Sequence, residues 1–321
     1  MRFDLRAPEG GAPIGELYAT ALEMASWAET RGAVAVVLTE HHAQADGYLP
    51  SPVVMATAVA ARTSQVQIMV AVIVLPFYEP VRLAEDMVVL DILSGGRVIY
   101  VAGIGYRPEE YEHHGVDFAR RGAIADEHLE VLLAAKTGEP FVHRGRHIHI
   151  TPAPFTPGGP KVAWGGGSVA AARRAGRFGI ELFAQGGDYR AIKDAYADAA
   201  REAGREPQAC FVPRNDLPAT LFVADDLDAA WAELGPYLLH DARSYAAINE
   251  GNRVMASLSR AATVEELRAE ERSHRIVTVD EAVEMMRVGF PLTLHPLVGG
   301  LPPDIAWRYL RTVTDEVVPR L

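Results

Sequence analysis

Cysteine is almost absent. The 321-residue chain has one, Cys210, so no internal disulfide can form and a reducing, cytoplasmic location is the expectation. Long apolar runs are missing too: the longest, Ile68 to Leu75, stops at Pro76, far short of the ~20 residues a membrane helix needs. Arg2 and Asp4 follow Met1 directly, which does not suit a secretory leader. Basic residues are in deficit. Lys and Arg total 31 against 42 Asp and Glu, and the formal charge of −11 argues against nucleic-acid or anionic-membrane partners. No Walker lysine loop and no Gly-x-Ser-x-Gly elbow occurs, which removes support for nucleoside triphosphate chemistry and for a serine nucleophile of that type. Gly103-Ile104-Gly105-Tyr106-Arg107-Pro108 begins like a dinucleotide fingerprint but ends in proline.

What is present is a globular composition, 49% apolar and 23% charged, with a regular alternation of elements. Short apolar, β-branched or aromatic stretches start at Phe3, Val34, Ile68 and Val98, and amphipathic helical patterns lie between them at Ile14–Thr30, Pro52–Arg62 and Pro80–Leu93. A βα repeat of this kind builds a parallel sheet, and its near-constant spacing favours an α/β fold of the (β/α)8 TIM-barrel type, residues 1–321 forming one domain. Later strands are expected at Val162–Trp164, at Glu181–Ala184, within Ala209–Val223 and at Leu292–Leu297, with a closing helix at Asp304–Val317. Two insertions interrupt the rhythm. One, at about 139–160 after helix four, carries a hairpin around Gly145; the other, at about 225–278 after strand seven, carries helices and is a candidate lid.

In such a barrel the chemistry sits just after the strands. Strand two ends in Thr39-Glu40-His41-His42; neighbouring side chains on extended backbone point to opposite sides, so one imidazole can face the mouth as a base while the other packs behind and orients it. The residues alone leave open whether the pair is functional or two satisfied loop histidines. His147 and His149 share one strand face, but no third ligand is near, so an exposed strand is preferred to a zinc site and no metal is expected. His113 and His114 are expected at a solvated helix end. Gly165-Gly166-Gly167-Ser168 precedes the helix Val169–Phe178: glycines admit a ligand, Ser168 can cap, and the free N–H groups favour a phosphate over a plain turn. Arg173, Arg174 and Arg177 add positive charge along that helix.

These motifs together resemble the bacterial luciferase-like flavin-dependent oxidoreductases. The likeness runs through Glu40-His41-His42, Ser51-Pro52, the block Pro80 to Asp86 with Ser94-Gly95-Gly96-Arg97, Gly103 to Tyr111, Gly115-Val116-Asp117 and Gly165 to Gly179. The resemblance implies a TIM barrel binding reduced FMN or a deazaflavin at its C-terminal mouth, and a homodimer through Pro52–Arg62 and Pro80–Leu93. It implies His41 in acid/base catalysis beside His42, a cis peptide at Ala71-Val72 under the flavin ring, Gly103 and Tyr106 at the cofactor, and Gly166, Gly167 and Ser168 on its phosphate. One departure stands out: where luciferase has an arginine near the end of strand four, this chain has Ile104, with Arg107 three residues on.

The function implied is a two-component monooxygenase that takes reduced FMN from a flavin reductase and oxygenates a small organic substrate with O₂. A deazaflavin-dependent dehydrogenase or reductase is the alternative, and a non-catalytic flavin-binding protein or a metal-dependent hydrolase follows behind. Trp164, Gln185 and His295 are candidate substrate contacts, as is Tyr106.

Overall fold

In the computed structural model, residues 1–213, 218–249 and 257–321 are described. The elements run β1 (Arg2–Phe3), α1 (Ile14–Glu29), β2 (Ala35–Leu38), α2 (Pro52–Arg62), β3 (Gln67–Val74), α3 (Pro80–Ser94), β4 (Val98–Gly103), α4 (Pro108–His113) and α5 (Arg121–Ala135). They continue with β5 (Phe141–His143), β6 (Arg146–Ile148), β7 (Lys161–Gly165), α6 (Val169–Phe178), β8 (Leu182–Phe183), α7 (Tyr189–Glu202) and β9 (Cys210–Phe211). The last are β10 (Thr220–Val223), α8 (Leu227–Ile248), α9 (Val264–Glu270), β11 (His274–Val277), α10 (Val279–Arg287) and α11 (Pro303–Thr312). The first four strands of the repeat begin within one residue of the starts expected from sequence. Among the described residues, no helix is long and apolar enough to cross a membrane.

Two compact units emerge: Met1–Ala33, Gln44–Tyr48 and Pro213–Leu321 form one, and Val34–Ala43 and Leu49–Val212 the other. The second holds six strands in the order β2-β3-β4-β7-β8-β9, each parallel to its neighbour. Parallel neighbours need a crossover, and α2, α3, α5, α6 and α7 lie in the five connections. Helix starts are written locally: proline opens α2 and α3, and Glu79 caps α3 by accepting from the Arg82 N–H. Alternation along the strands puts Met69, Ala71, Ile99, Val101, Ala163 and Phe183 in one apolar layer. Register slips by one residue between Ala71 and Ile73, and the Ala71–Val72 peptide is cis, as the resemblance implied. The hairpin expected around Gly145 is β5 paired antiparallel with β6.

The first unit departs more from the sequence reading. The strand expected within Ala209–Val223 is two pieces, β9 and β10, because Pro213 and Pro218 cannot donate to a ladder; residues 214–217 between them lie outside the description. The expected final strand, Leu292–Leu297, reduces to one bridge between Leu221 and Leu294, with the Arg2 N–H donating to the Leu294 carbonyl at 2.9 Å. Pro291 and Pro296 bracket it and remove the flanking donors. The 225–278 segment is expected to contain helices. It contains α8 and α9, but also β11, which pairs in parallel with β10 from Thr220↔His274 to Val223↔Val277; residues 250–256 lie outside the description. A core of Leu221, Val223, Val277, Val279, Ala282, Val283, Val313 and Val317 binds these strands to α10 and the C-terminal helix.

Candidate active site

Where β2 ends, the two histidines part company. The His41 Nδ1 lies 3.0 Å from Glu110 Oε1, and its Nε2 lies 3.3 Å from the Tyr106 hydroxyl. A carboxylate only accepts, so Nδ1 carries the ring proton and Nε2 is left as the acceptor toward Tyr106. Glu110 Oε1 also accepts from the His42 N–H at 3.0 Å and from Arg107 Nη1 at 3.2 Å. Its side chain is 1% exposed. Burial alone would raise the Glu110 carboxyl, but the hydrogen bond from His41, the His42 amide and the charge of Arg107 outweigh it and hold the group below the usual range.

His42 turns the other way. Its Nε2 lies 2.7 Å from Glu40 Oε1, which also accepts from the Tyr78 hydroxyl at 3.1 Å, while Glu40 Oε2 accepts from the Val74 N–H at 2.9 Å. The expected division of labour is thus corrected in one respect: His42 packs behind, but the group that orients His41 is Glu110. The expected solvated helix end is found: His113 and His114 are both exposed where α4 ends. His114 stacks on Phe77 at 4.4 Å and meets the His42 ring edge-on at 4.4 Å, and burial, with His42 and His113 nearby, lowers its pKa. Arg107, the substitute suggested for the missing strand-four arginine, bonds Glu110 and the His42 carbonyl at 3.3 Å.

The glycines at the ends of β4 and β7 cradle the Val72 side chain. A Cβ on Gly103 would lie 2.4 Å from Val72 Cγ1, and one on Gly165 would lie 2.7 Å from Val72 Cγ2. Ser168 caps α6 as expected, its hydroxyl accepting from the Ala171 N–H at 3.1 Å, so the Val169 and Ala170 N–H groups open the helix ahead of its first internal acceptor. Gly166 has φ of 138°, and a Cβ on Gly167 would lie 2.5 Å from the Gly186 carbonyl oxygen. Backbone against backbone cannot yield cheaply: Gly167→Ala is expected to cost about 1–3 kcal/mol, read as a lower urea midpoint, whereas an unchanged midpoint would show the turn to be loose. Arg174 and Arg177 do not reach the helix N-terminus, since both bind Asp126, at 2.5 and 2.7 Å.

The remaining sequence candidates are scattered. Trp164 is 1% exposed and sits beneath the Arg174 guanidinium, 5.1 Å from its ring centroid, on the α6 side of the strand. Gln185 is exposed just beyond β8, and His147 and His149 are exposed on and beside β6. His295, 1% exposed, belongs to a buried ionic network in the first unit. There Arg6, fully buried, lies 2.6 Å from Asp46, 3.4 Å from Asp4 and 3.6 Å from Asp241, and its guanidinium covers the Tyr48 ring at 4.4 Å. Asp4, Asp241 and His295 converge closely enough for a cation. Arg2 Nη2, however, donates to His295 Nδ1 at 2.8 Å, which places the ring proton on Nε2 facing Asp4 and makes the cluster a salt-bridge network rather than a ligand set.

Sequence reasoning overlooked Glu110 as a site residue, although it lies within the Gly103-to-Tyr111 motif. Its only local mark is a carboxylate placed just after strand four, where side chains reach the mouth.

The family model described as luciferase-like monooxygenase matches residues 3–289. Two curated relatives from Sinorhizobium fredii, matched at 34% and 33% identity, are covered over only 37% and 43% of their own length. Among solved structures, monooxygenase RslO1 from Streptomyces bottropensis superposes with TM-score 0.78 at 21% identity, covering 99% of this chain and 98% of that one. The oxygenating constituent of 3,6-diketocamphane monooxygenase from Pseudomonas putida, in complex with FMN, gives 0.68 at 19% identity over 100% and 97%. A coenzyme F420-dependent tetrahydromethanopterin reductase from Methanopyrus kandleri gives 0.65 at 14% identity over 94% and 95%.

Proposed function

The chain belongs to the luciferase-like monooxygenase family, and from that premise we propose that it is a two-component flavin monooxygenase, taking reduced FMN from a separate reductase and using O₂ to oxygenate a small organic substrate. The observation that carries this reading is the meeting, in one unit, of a glycine-lined cradle, a capped helix N-terminus and a histidine held by a buried carboxylate. The reading of the chain as one (β/α)8 barrel domain with insertions is supported by the near-complete coverage against RslO1.

The residues fit the cofactor. Ala71, Val72 and Gly103 would receive the flat ring, and Gly166, Gly167, Ser168 and the first N–H groups of α6 its phosphate. When bound, the reduced flavin supplies the electrons for the reaction with O₂. His41, with its proton held on Nδ1 by Glu110, presents Nε2 to take up or return a proton, and Tyr106 lies in reach as the next donor. We place the protein in the cytoplasm as a homodimer through α2 and α3, where Val54, Val89, Ile92 and Leu93 are exposed. A deazaflavin-dependent dehydrogenase is favoured by one observation: Arg107 is bound to Glu110 and no arginine from the end of β4 is offered to a phosphate monoester.

The test is an anaerobic titration with reduced FMN and with reduced deazaflavin, followed by O₂. Micromolar FMN binding and substrate-dependent oxygenation support the monooxygenase; tight deazaflavin binding without reaction with O₂ would overturn it. Ser168→Asp puts a negative charge at the phosphate position and is expected to weaken reduced-FMN binding roughly tenfold or more. Unchanged binding in that variant would move the phosphate elsewhere.

A further inference from the structure

On the same sheet as the cradle, β8 and β9 pair in parallel with Phe183 opposite Phe211. The two rings stack at 4.7 Å with an interplanar angle of 29°. Phe183 packs on the layer of Ile99, Val101 and Ala163, together with Ala71 and Val72, so the aromatic pair is continuous with the residues assigned to the flavin ring. Yet Phe211 is 52% exposed, and Met69, Ala71, Val72 and Phe183 are only partly buried. The middle of this strand face is buried, with Ile99, Val101 and Ala163 in the core, yet at its edge the Phe211 ring is left half uncovered, where a polar side chain would ordinarily stand. Ala184 extends β8, its N–H donating to the Phe211 carbonyl at 2.8 Å, and the exposed Gln185 follows at the bend beyond it.

We propose that Phe211, stacked on Phe183, determines specificity for an uncharged, planar ring substrate, with the Gln185 amide meeting one carbonyl or hydroxyl oxygen at its edge. This rests on the monooxygenase reading, and it names the substrate class of that site. A flat apolar ring gains from stacking on Phe211, whereas an ionised group set against this face would lose its hydration with no counter-charge among Met69, Ala71, Val72, Phe183 and Phe211.

The experiment uses the flavin-free full-length protein and the neutral fluorescent probe N-phenyl-1-naphthylamine, with a naphthalene disulfonate as the anionic control. Wild type is expected to bind the neutral probe and to reject the disulfonate. Phe211→Ala should weaken the neutral probe roughly tenfold, Phe211→Trp should restore it, and thermal melting should be unchanged because the ring is half exposed. In turnover, KM for ring substrates should rise in Phe211→Ala with kcat nearly constant. Equal probe binding by wild type and Phe211→Ala, or equal binding of neutral and anionic probes, would overturn the proposal. Because this titration contains no flavin, its failure is distinct from a failure to bind reduced FMN, which would instead overturn the cofactor reading.

Discussion

Glu110→Gln is expected to lower kcat by about 10²–10⁴-fold, the range attributed to a positioned acid/base, with reduced-FMN affinity changed less than threefold. The substitution keeps the side chain's shape. It removes the charge that gathers the His41 ring nitrogen, the His42 N–H and Arg107 on one oxygen. An amide can donate as well as accept, so His41 is free to adopt the tautomer with its proton on Nε2, where it no longer presents an acceptor toward Tyr106. Arg107, 14% exposed, is left beside a neutral partner. Glu110→Asp retains the charge and should recover part of the rate. Rapid-reaction kinetics beside flavin titration will separate the two quantities. Equal turnover in Glu110→Gln and wild type would make the carboxylate structural and remove the His41 tautomer from the mechanism.

The second large effect is on stability. Asp241 sits between Arg2, Arg6 and His274, with His274 Nε2 at 2.9 Å, and Asp241→Asn leaves the fully buried Arg6 and the partly buried Arg2 short of a counter-charge. Breaking a buried pair this way costs about 3–5 kcal/mol, which for a chain of this length corresponds to a fall in Tm of roughly 4–8 °C. Acid should act in the same direction. Burial would raise Asp241, but the His274 hydrogen bond and Arg2 hold it well below 3.8, so its contribution is complete above that pH and is lost as pH falls through the lower folded value. Burial, then Arg2, lowers the His295 pKa from 6.5; the unfolded chain therefore takes up a proton first, and stability is eroded as pH drops from 6.5 toward the folded value. Urea midpoints across pH 4–8 should thus be highest near neutrality and decline on acidification through the His295 range, with Asp241→Asn lower throughout, because the Asp241 contribution is lost only below pH 3.8. A midpoint rising between pH 6.5 and 5 would contradict this assignment of charge.

The local parts of the molecule were open to sequence reasoning because their causes are local. Alternating strands and helices, the Ser168 cap and the β5–β6 hairpin each follow from patterns a few residues long, and the motif likeness pointed to His41 and to the cis bond at Ala71–Val72. β11 was hidden because four residues, His274 to Val277, are too few for a period to stand out beside long helices. Pairing with β10 makes them a strand, and only folding supplies that neighbour.

The same limit governs the site. By itself the sequence determined the α/β alternation, the family and the place of the histidines after β2. Which carboxylate each histidine meets was decided by tertiary structure: Glu110 is 69 positions from His41, Glu40 only two from His42, and composition cannot tell these assignments apart. Nor could it show that Arg107 is drawn off to Glu110, and Arg174 and Arg177 to Asp126. Hydrogen bonds and ion pairs depend on distances of about 3 Å, and for residues far apart in the chain those distances exist only once the strands have set their ends side by side.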